Sequence, residues 1–259
     1  MKGNDKIAFT AEAIALMRAE KGTDKYSQYF VSEDIKKKFR RISRVAPKRL
    51  LDKIFVKRIR LSFELDKIIR DYRPTQIVEL ACGYSPRGLI LTQKNPKIAY
   101  IETDFSSVIE KKQEIINSLV KMGKVKKRKN HHLVPLDSLE GNFFEKLKPF
   151  LSKNKKTLVI AETLTSYLNE EEHNHLVKSI EKLLGKFKES AYLSHESNKM
   201  LSGVLGKLLL FYRDRVAKTR SYKHFKGKEE IRKYFEGRGF KVIRLSESKR
   251  TNNFFYLVS

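Results

Sequence analysis

Hydrophobic positions recur along the chain in two patterns, and the change falls near Pro74. Before Pro74, apolar residues stand three or four positions apart among polar ones, which is the spacing of helices that bury one face. TAEAIALMRAE at 10–20 is an example, with Ala11, Ile14 and Ala15 on one side. Proline cannot continue a helix, so the last of these helices ends before Pro74. The pattern predicts helices over residues 10–20, 33–44 and 48–71.

After Pro74, short apolar runs alternate with amphipathic stretches. The runs are typical of buried strands and cover residues 76–80, 97–102, 132–136, 157–161, 191–195, 240–246 and 252–259. The stretches between them predict helices over residues 86–94, 106–121, 142–151, 169–188 and 228–237. Strands joined through helices run parallel, whereas the last two runs are close enough to pair as an antiparallel hairpin. The predicted fold class is α/β: a Rossmann-like, mostly parallel seven-stranded sheet with an antiparallel C-terminal edge hairpin and an N-terminal helical extension.

Length and apolar content predict a single domain over residues 1–259, because 40% hydrophobic content at this length fills one α/β core plus a cap. We expect four parts: a helical cap (1–73), a ligand-binding core (74–197), a candidate lid (198–227), and a C-terminal helix with its hairpin (228–259). The lid is expected because VLGKLLLFYRDRVAK at 204–218 is amphipathic and follows the fifth strand. An interfacial helix or ordinary core packing is the alternative for that stretch.

Basic residues outnumber acidic ones by 56 to 30, which gives a formal net charge of +26 at pH 7. This charge fits a polyanionic partner such as nucleic acid, and it equally fits a lysine-rich surface without a partner. The densest run, KVKKRK at 124–129, has no interleaved aromatic residues and no recognition motif. Nucleic acid is therefore kept as an alternative partner and is not favoured.

The sequence predicts a cytoplasmic protein without a transmembrane segment. The N-terminal residues lack the apolar core and the cleavage site of a signal peptide. No apolar run approaches the roughly 20 residues that span a bilayer. Cys82 is the only cysteine, so no intrachain disulfide can form, which fits a reducing compartment.

The turn after the first strand is the first candidate for a binding site, because ligands of doubly wound sheets bind outside the carboxyl ends of the strands. The first strand runs into VELACGYSPRG at 78–88, where Gly83 permits a tight turn and a helix starts near Ser85 and Pro86. The segment is neither a GxGxxG loop nor a P-loop. Alone it is a weak signal, since ordinary turn formation explains it equally well.

Acidic residues follow the next three strands. Asp104 stands 21 residues after Gly83, close to the ~20 expected of a carboxylate that accepts hydrogen bonds from a ribose, and it can also cap the next helix. Asp137 and Ser138 can face an adenine edge, with helix capping as the alternative. Glu162 directly follows a buried strand, where a carboxylate can hold an amino group or balance a sulfonium cation. The loop and the acids together favour an adenosine-containing ligand.

Several motifs occur in a fixed order along the chain. LACG at 80–83 is followed by SPRG at 85–88, IETD at 101–104, LD at 136–137 and AETLTSYL at 161–168. Together with the opening helix, which ends in Arg-Ala-Glu, these motifs resemble the leucine carboxyl methyltransferase family. Within that family the likeness is to polyketide O-methyltransferases of the tetracenomycin-pathway type. The resemblance covers residues 10 to about 195 and departs from the family at Ala81, where the family has glycine.

The resemblance implies a class I methyltransferase that uses S-adenosyl-L-methionine. It implies that Gly83 packs against the methionine part of the cofactor and that Asp104 binds the ribose hydroxyls. It further implies that Asp137 contacts the adenine amino group and that Glu162 lies beside the methionine end. The predicted cofactor-binding residues are Arg60, Glu79, Gly83, Asp104, Asp137, Ser138 and Glu162.

Arg60 is included because the family uses an arginine, on the helix before the first strand, to bind the methionine carboxylate. Arg58 lies on the same predicted helix, two positions away, and is the alternative.

Methyl transfer from a sulfonium is an in-line displacement, so the protein mainly aligns the acceptor with the methyl group in a pocket poor in water. A carboxylate acceptor is already ionised at neutral pH and needs no general base, whereas a phenol benefits from one. Tyr167 and His195 follow strands on the expected mouth side, and we predict both as catalytic residues, with His195 as the base. A packed histidine is the alternative for His195. The predicted acceptor is a small-molecule acid or phenol.

Two other functions stay open. The charge fits an RNA or DNA methyltransferase, although AETLTSY stands where an amine-methylating enzyme would have an Asn-Pro-Pro-Tyr-like motif. The chain can also be a cofactor-binding or nucleic-acid-binding module without activity. No metal site is predicted, because His173 and His175 are two residues apart on a helix and do not share a face.

Overall fold

The computed structural model describes residues 4–45, 48–141, 143–197, 222 and 224–259. The amphipathic stretch 204–218 lies outside the described residues, and so does the candidate lid apart from a few residues at its end. Strands and helices alternate after Pro74, as the apolar pattern predicts. The strands are β1 (Gln76–Leu80), β2 (Ala99–Asp104), β3 (His131–Pro135), β4 (Thr157–Ala161), β5 (Ser190–Ser197), β6 (Val242–Ser248) and β7 (Asn253–Val258).

The seven strands form one sheet in the order β3-β2-β1-β4-β5-β7-β6. The first five strands run parallel to one another, and β7 runs antiparallel to both β5 and β6. The hairpin of β6 and β7 therefore closes one edge of the sheet. The predicted fold class, a mostly parallel seven-stranded sheet with an antiparallel C-terminal edge, is confirmed.

The helices include the three that the N-terminal pattern predicts. They are α1 (Asn4–Glu20), α2 (Glu33–Val45), α3 (Lys48–Tyr72), α4 (Arg87–Lys94), α5 (Ser106–Lys121), α6 (Phe143–Leu147), α7 (Glu170–Leu184) and α8 (Lys228–Glu236). A 3₁₀ turn, Leu164–Tyr167, stands between β4 and α7. Within the described ranges, no helix is long and apolar enough to cross a membrane.

Helices cover both faces of the sheet, which explains why the parallel strands have continuous apolar sequences. Alternate residues of a strand point to opposite faces, so Ile77 and Val78 of β1 belong to different clusters. One cluster joins the sheet to α3 through Leu61 and Leu65. The other joins the opposite face to α7 and α8, where Phe235 is buried. A third cluster packs the cap against the core through α1, α4 and α5.

The strand order reverses between β1 and β4. β2 and β3 extend the sheet on one side of β1, and β5 extends it on the far side of β4. A doubly wound sheet leaves a crevice at such a point, outside the carboxyl ends of its strands, and ligands bind there. The fold therefore predicts a ligand-binding site at the carboxyl ends of β1 and β4.

Candidate functional site

A cavity of about 290 Å³ lies at the carboxyl ends of β1 to β4. The turns after these strands form one part of its wall, and the cap forms the other through Ala11, Ile14 and Arg18 of α1 and Arg58 of α3. The cavity thus occupies the crevice where the strand order reverses. It brings together most of the residues selected from the sequence: Glu79, Gly83, Asp104, Asp137, Ser138, Glu162 and Tyr167.

The turn after β1 is bent by two residues in the left-handed region, Ala81 at φ +50° and Gly83 at φ +52°. The Gly83 N–H donates to Oδ2 of Asp104 at 2.8 Å, and the Gly83 carbonyl accepts from Nζ of Lys112 at 3.1 Å. A Cβ at position 83 would lie 3.1 Å from Cβ of Ala11. Glycine is therefore needed at 83, both for its conformation and for the close approach of α1. Ala81 keeps the left-handed bend despite its side chain.

Asp104 ends β2 and serves two structural purposes at once. Oδ2 of Asp104 holds Gly83, and Oδ1 accepts the Phe105 N–H at 2.8 Å, next to the start of α5. Burial raises the pKa of Asp104, while the two backbone N–H groups act in the opposite direction. The carboxylate lies in the cavity wall, so each oxygen can accept a further hydrogen bond from a ligand there.

The turn after β3 gives the cavity an apolar section with polar groups at its border. Leu136, Leu139 and Phe105 line this section, and Asp137 and Ser138 stand beside them. Oδ1 of Asp137 accepts the Leu139 N–H at 2.9 Å, so Asp137 also shapes its own turn. Apolar walls beside a carboxylate suit a flat heteroaromatic ring with an amino group at its edge.

Glu162, at the end of β4, is held by a buried arginine. Arg87 donates to Glu162 at 2.5 Å, to Glu79 at 2.5 Å and to Asp66 of α3 at 2.6 Å. Ser62 donates to the other Glu162 oxygen at 2.7 Å. Burial would raise the pKa of Glu162, but Arg87 and Arg18 outweigh it and hold the pKa well below its usual range. Glu162 is therefore a fixed negative charge in the wall.

Glu79 also lines the cavity, but its pKa is shifted in the opposite direction from that of Glu162. The Glu79 carboxylate accepts from Arg87 and from the Tyr100 hydroxyl, at 2.6 Å for the latter. Burial raises the pKa of Glu79, against the opposing effect of Arg87. Its polar contacts point to structural support of the turn after β1.

The two candidate arginines of α3 differ in position. Arg60 is exposed and does not line the cavity, whereas Arg58 does. Residues two apart on a helix lie on nearly opposite sides, so only one of the pair can face the cavity. Arg18 of α1 also lines the cavity, and it donates to Ser85 at 3.0 Å and to Ser62 at 2.6 Å.

The two predicted catalytic residues have different positions. Tyr167, in the 3₁₀ turn after β4, lines the cavity. His195 does not: it is buried on β5, and its Nε2 accepts the N–H of Thr163 at 3.1 Å. A ring nitrogen already bonded inside the protein cannot take a proton from an acceptor in the cavity. The structure therefore places His195 behind the wall of the site, which does not fit its prediction as the base.

Among the residues of the site that were missed from the sequence are Arg18, Lys112 and Thr163. Arg18 stands in the Arg-Ala-Glu end of α1, and its place inside a motif already singled out was an available signal. Lys112 is fully buried under the turn after β1, but α5 carries other lysines and nothing in the sequence marks this one. Thr163 has φ +72°, a conformation that its residue type does not suggest. Within the described ranges, no three His, Cys, Asp or Glu side chains could hold a metal ion.

The fold and the cavity together define a class I S-adenosylmethionine-dependent methyltransferase architecture, and solved structures agree with it. A DUF574 family protein from Streptomyces avermitilis gives a TM-score of 0.62 at 9% identity, covering 95% of this chain and 96% of its own. A candidate O-methyltransferase from Nostoc punctiforme gives a TM-score of 0.53 at 14% identity, covering 76% and 55%. At such identities the likeness shows the fold alone.

The leucine carboxyl methyltransferase family model matches residues 9–181, and the chain belongs to this family. Leucine carboxyl methyltransferase 1 of Caenorhabditis elegans is 24% identical over 216 residues, which are 74% of this chain and 64% of the relative. The chain thus spans less than two thirds of that relative's length. The family predicted from the motifs is confirmed, and the family implies S-adenosyl-L-methionine as the methyl donor.

Proposed function

We propose that this chain transfers a methyl group from S-adenosyl-L-methionine to an oxygen of a small acidic molecule, a carboxylate in the first place and a phenolate in the second. One observation carries the proposal: the turns after β1 to β4 place Gly83, Asp104, Asp137 and Glu162 around a single cavity at the switch point of the sheet. These are the positions that the family's motifs occupy.

The charge of the cavity fits this cofactor. Five acidic side chains line it, namely Glu79, Asp104, Asp137, Glu162 and Glu172, together with Arg18 and Arg58. Arg87, which does not line the cavity, pairs with Glu79 and Glu162, so Asp104, Asp137 and Glu172 are the acidic side chains of the lining that Arg87 does not compensate. The whole chain carries +26, so the acidic lining is a local exception. A ligand with a sulfonium and an ammonium group finds compensating charge there, and its single carboxylate finds an arginine.

Each part of the cofactor has a partner in the wall. Asp104 would accept hydrogen bonds from the ribose hydroxyls, and Leu136, Leu139 and Phe105 would enclose the adenine ring with Asp137 and Ser138 at its edge. Arg58 would bind the methionine carboxylate, since Arg18 is already bonded to Ser62 and Ser85. The Gly83 backbone, which lines the cavity, would lie against the methionine chain.

The chain's own contribution to the reaction is alignment and exclusion of water. The cofactor, when bound, supplies an electrophilic methyl group whose leaving sulfur needs no proton. Ala11 and Ile14 of α1 give the cavity an apolar wall, which would limit the water beside the reacting atoms. Tyr167 can orient the acceptor through its hydroxyl. A carboxylate acceptor needs no base, which agrees with the position of His195 outside the cavity.

The test is methyl transfer from S-adenosyl-L-methionine with a labelled methyl group to a panel of small acids and phenols, followed by treatment with base. Methyl esters release labelled methanol in base, whereas aryl ethers and methylated bases do not. We expect the wild type to place base-labile label on a carboxylic acid. The Tyr167→Phe variant should still form this product, but at a rate about tenfold lower. Label that stays on added RNA would contradict the proposal and favour a nucleic-acid methyltransferase.

A further inference from the structure

The turn that joins β4 to the 3₁₀ turn contains a strained residue. Thr163 has φ +72° and ψ −12°, in the left-handed region that a β-branched side chain rarely adopts. Thr163 stands between Glu162 and Leu164, and both of these residues line the cavity, as Tyr167 does. Strain of this kind persists only where the surrounding structure fixes it.

Neighbouring groups hold the Thr163 backbone at both ends. Its N–H donates to Nε2 of His195 at 3.1 Å, and its carbonyl accepts from Oγ of Ser166 at 2.8 Å. Strand β5 also holds the residue that ends β4, because Oγ of Ser194 donates to the Ala161 carbonyl at 2.8 Å. The conformation of the turn after β4 is therefore set from β5, across the sheet.

His195 can accept the Thr163 N–H over the whole neutral pH range, because its ring stays uncharged there. A backbone N–H can only donate, so Nε2 presents its lone pair to Thr163 and the ring proton belongs to Nδ1. Burial lowers the pKa of His195 to about 4; Arg58 and Lys57 of α3 act in the same direction, and Glu162 and Asn253 act against it. The ring therefore stays neutral near pH 7, and its accepting nitrogen stays available to Thr163.

We propose that His195 is a positioning residue: by accepting the Thr163 N–H, it fixes the left-handed turn that places Glu162 and Tyr167 in the wall of the cavity. An effect of His195 on methyl transfer rests on the function proposed above. Its effect on the conformation of the turn does not, because that effect follows from the hydrogen bonds alone.

Four proteins test the proposal: the wild type, His195→Phe, His195→Gln, and His195→Phe combined with Thr163→Gly. Phenylalanine removes the acceptor but keeps a ring, glutamine offers an amide oxygen near the position of Nε2, and glycine adopts the turn without help. His132→Phe is the matched control, since His132 lies on β3 and packs against Phe150. The measurements are the Kd for S-adenosyl-L-methionine by calorimetry and hydrogen exchange of peptides covering residues 162–168.

We expect His195→Phe to weaken cofactor binding about tenfold and to speed exchange in 162–168. Both the glutamine variant and the double variant should return close to the wild type, and His132→Phe should not differ from it. If His195 acted instead as a general base, His195→Phe would leave both cofactor binding and hydrogen exchange unchanged, and this result would overturn the proposal. Recovery in neither rescue variant would also overturn the proposal, because it would show a general packing requirement.

Cofactor binding and hydrogen exchange test the proposed function and the role of His195 separately. If the wild type bound no S-adenosyl-L-methionine, the function proposed above would fail, and hydrogen exchange would still decide whether His195 holds the turn. Should His195→Phe not fold, His195→Asn takes its place, since the asparagine amide ends near the position of Nδ1 and does not reach Thr163. Slow exchange at 162–168 in that variant would contradict the proposal.

Discussion

Arg58 and Arg18 stand on two helices of the cap and meet in the wall of one cavity. Arg18 is bonded to Ser62 and Ser85 and lies 3.8 Å from Glu162, so its charge stabilises the protein's own groups. In the part of the chain that the structure describes, no ion pair is formed by Arg58. Under the function proposed above, Arg58 is the candidate for binding the carboxylate of the ligand.

Replacing Arg58 by methionine should weaken S-adenosyl-L-methionine binding about tenfold or more, because a charge-assisted hydrogen bond to a carboxylate is lost. Arg60→Met is the matched control, since Arg60 lies on the same helix, is exposed and faces away from the cavity. Calorimetric titration of both variants checks the prediction. Equal weakening by the two substitutions would show that general positive charge on α3, and not a specific contact, supports binding.

Part of this site could be predicted at the residue scale because its residues follow strands directly. Gly83, Asp104, Asp137 and Glu162 come after apolar runs whose ends are plain in the sequence, and all four line the cavity. The rotation of a helix is harder to predict, so the sequence could not decide between Arg60 and Arg58, of which only Arg58 lines the cavity. The hydrogen bond of His195 depends on the backbone of Thr163, which no local pattern indicates.

Strand β2 and helix α5 are joined by buried charges, an uncommon arrangement under a parallel sheet. Lys112 of α5 is fully buried and donates to Glu102 of β2 at 2.9 Å and to the Gly83 carbonyl. Burial would raise the pKa of Glu102, but Lys112 and His131 outweigh it and bring the pKa to about 2. The pair is therefore ionised, and it supports the turn after β1 from below.

Lys112→Met should destabilise the protein by about 3–5 kcal/mol, because it removes the main cation beside a buried carboxylate. Adding Glu102→Gln should recover most of that loss, since the second charge is removed while the amide oxygen can still accept the Gly88 N–H. Urea denaturation of the single and double variants measures both effects. A loss below about 1 kcal/mol in the single variant, or no recovery in the double variant, would contradict this account of the pair.

At the element scale, the sequence predicts strand positions well and strand ends less well. β1 and β4 have the predicted bounds, because apolar runs with clear limits define them. β2 starts two residues later than predicted and continues through Asp104. The acidic residues Glu102 and Asp104 broke the apolar run in the sequence, yet both are buried in the structure, since Lys112 and the turn after β1 provide them with partners.

Over the whole molecule, the net charge is strongly positive, whereas the candidate site contains several acidic side chains. The chain carries +26, and the cavity lining is rich in carboxylates. A net charge describes the surface and its long-range field, so it could not indicate which side chains line one cavity. The order of the strands in the sheet could not be predicted from the sequence either, because it depends on pairing between segments far apart in the chain. Only the parallel core and the terminal hairpin could be predicted.

Calorimetric titration with S-adenosyl-L-methionine and S-adenosylhomocysteine tests the central claim, that the cavity at the carboxyl ends of β1 to β4 is a cofactor site. We predict micromolar binding of both ligands by the wild type, and binding at least about tenfold weaker in Asp104→Ala, which loses the ribose contact. Thermal melting of both proteins in the same buffer controls for folding. A folded wild-type protein that binds neither ligand, or an Asp104→Ala variant that binds both as tightly as the wild type, would contradict the account.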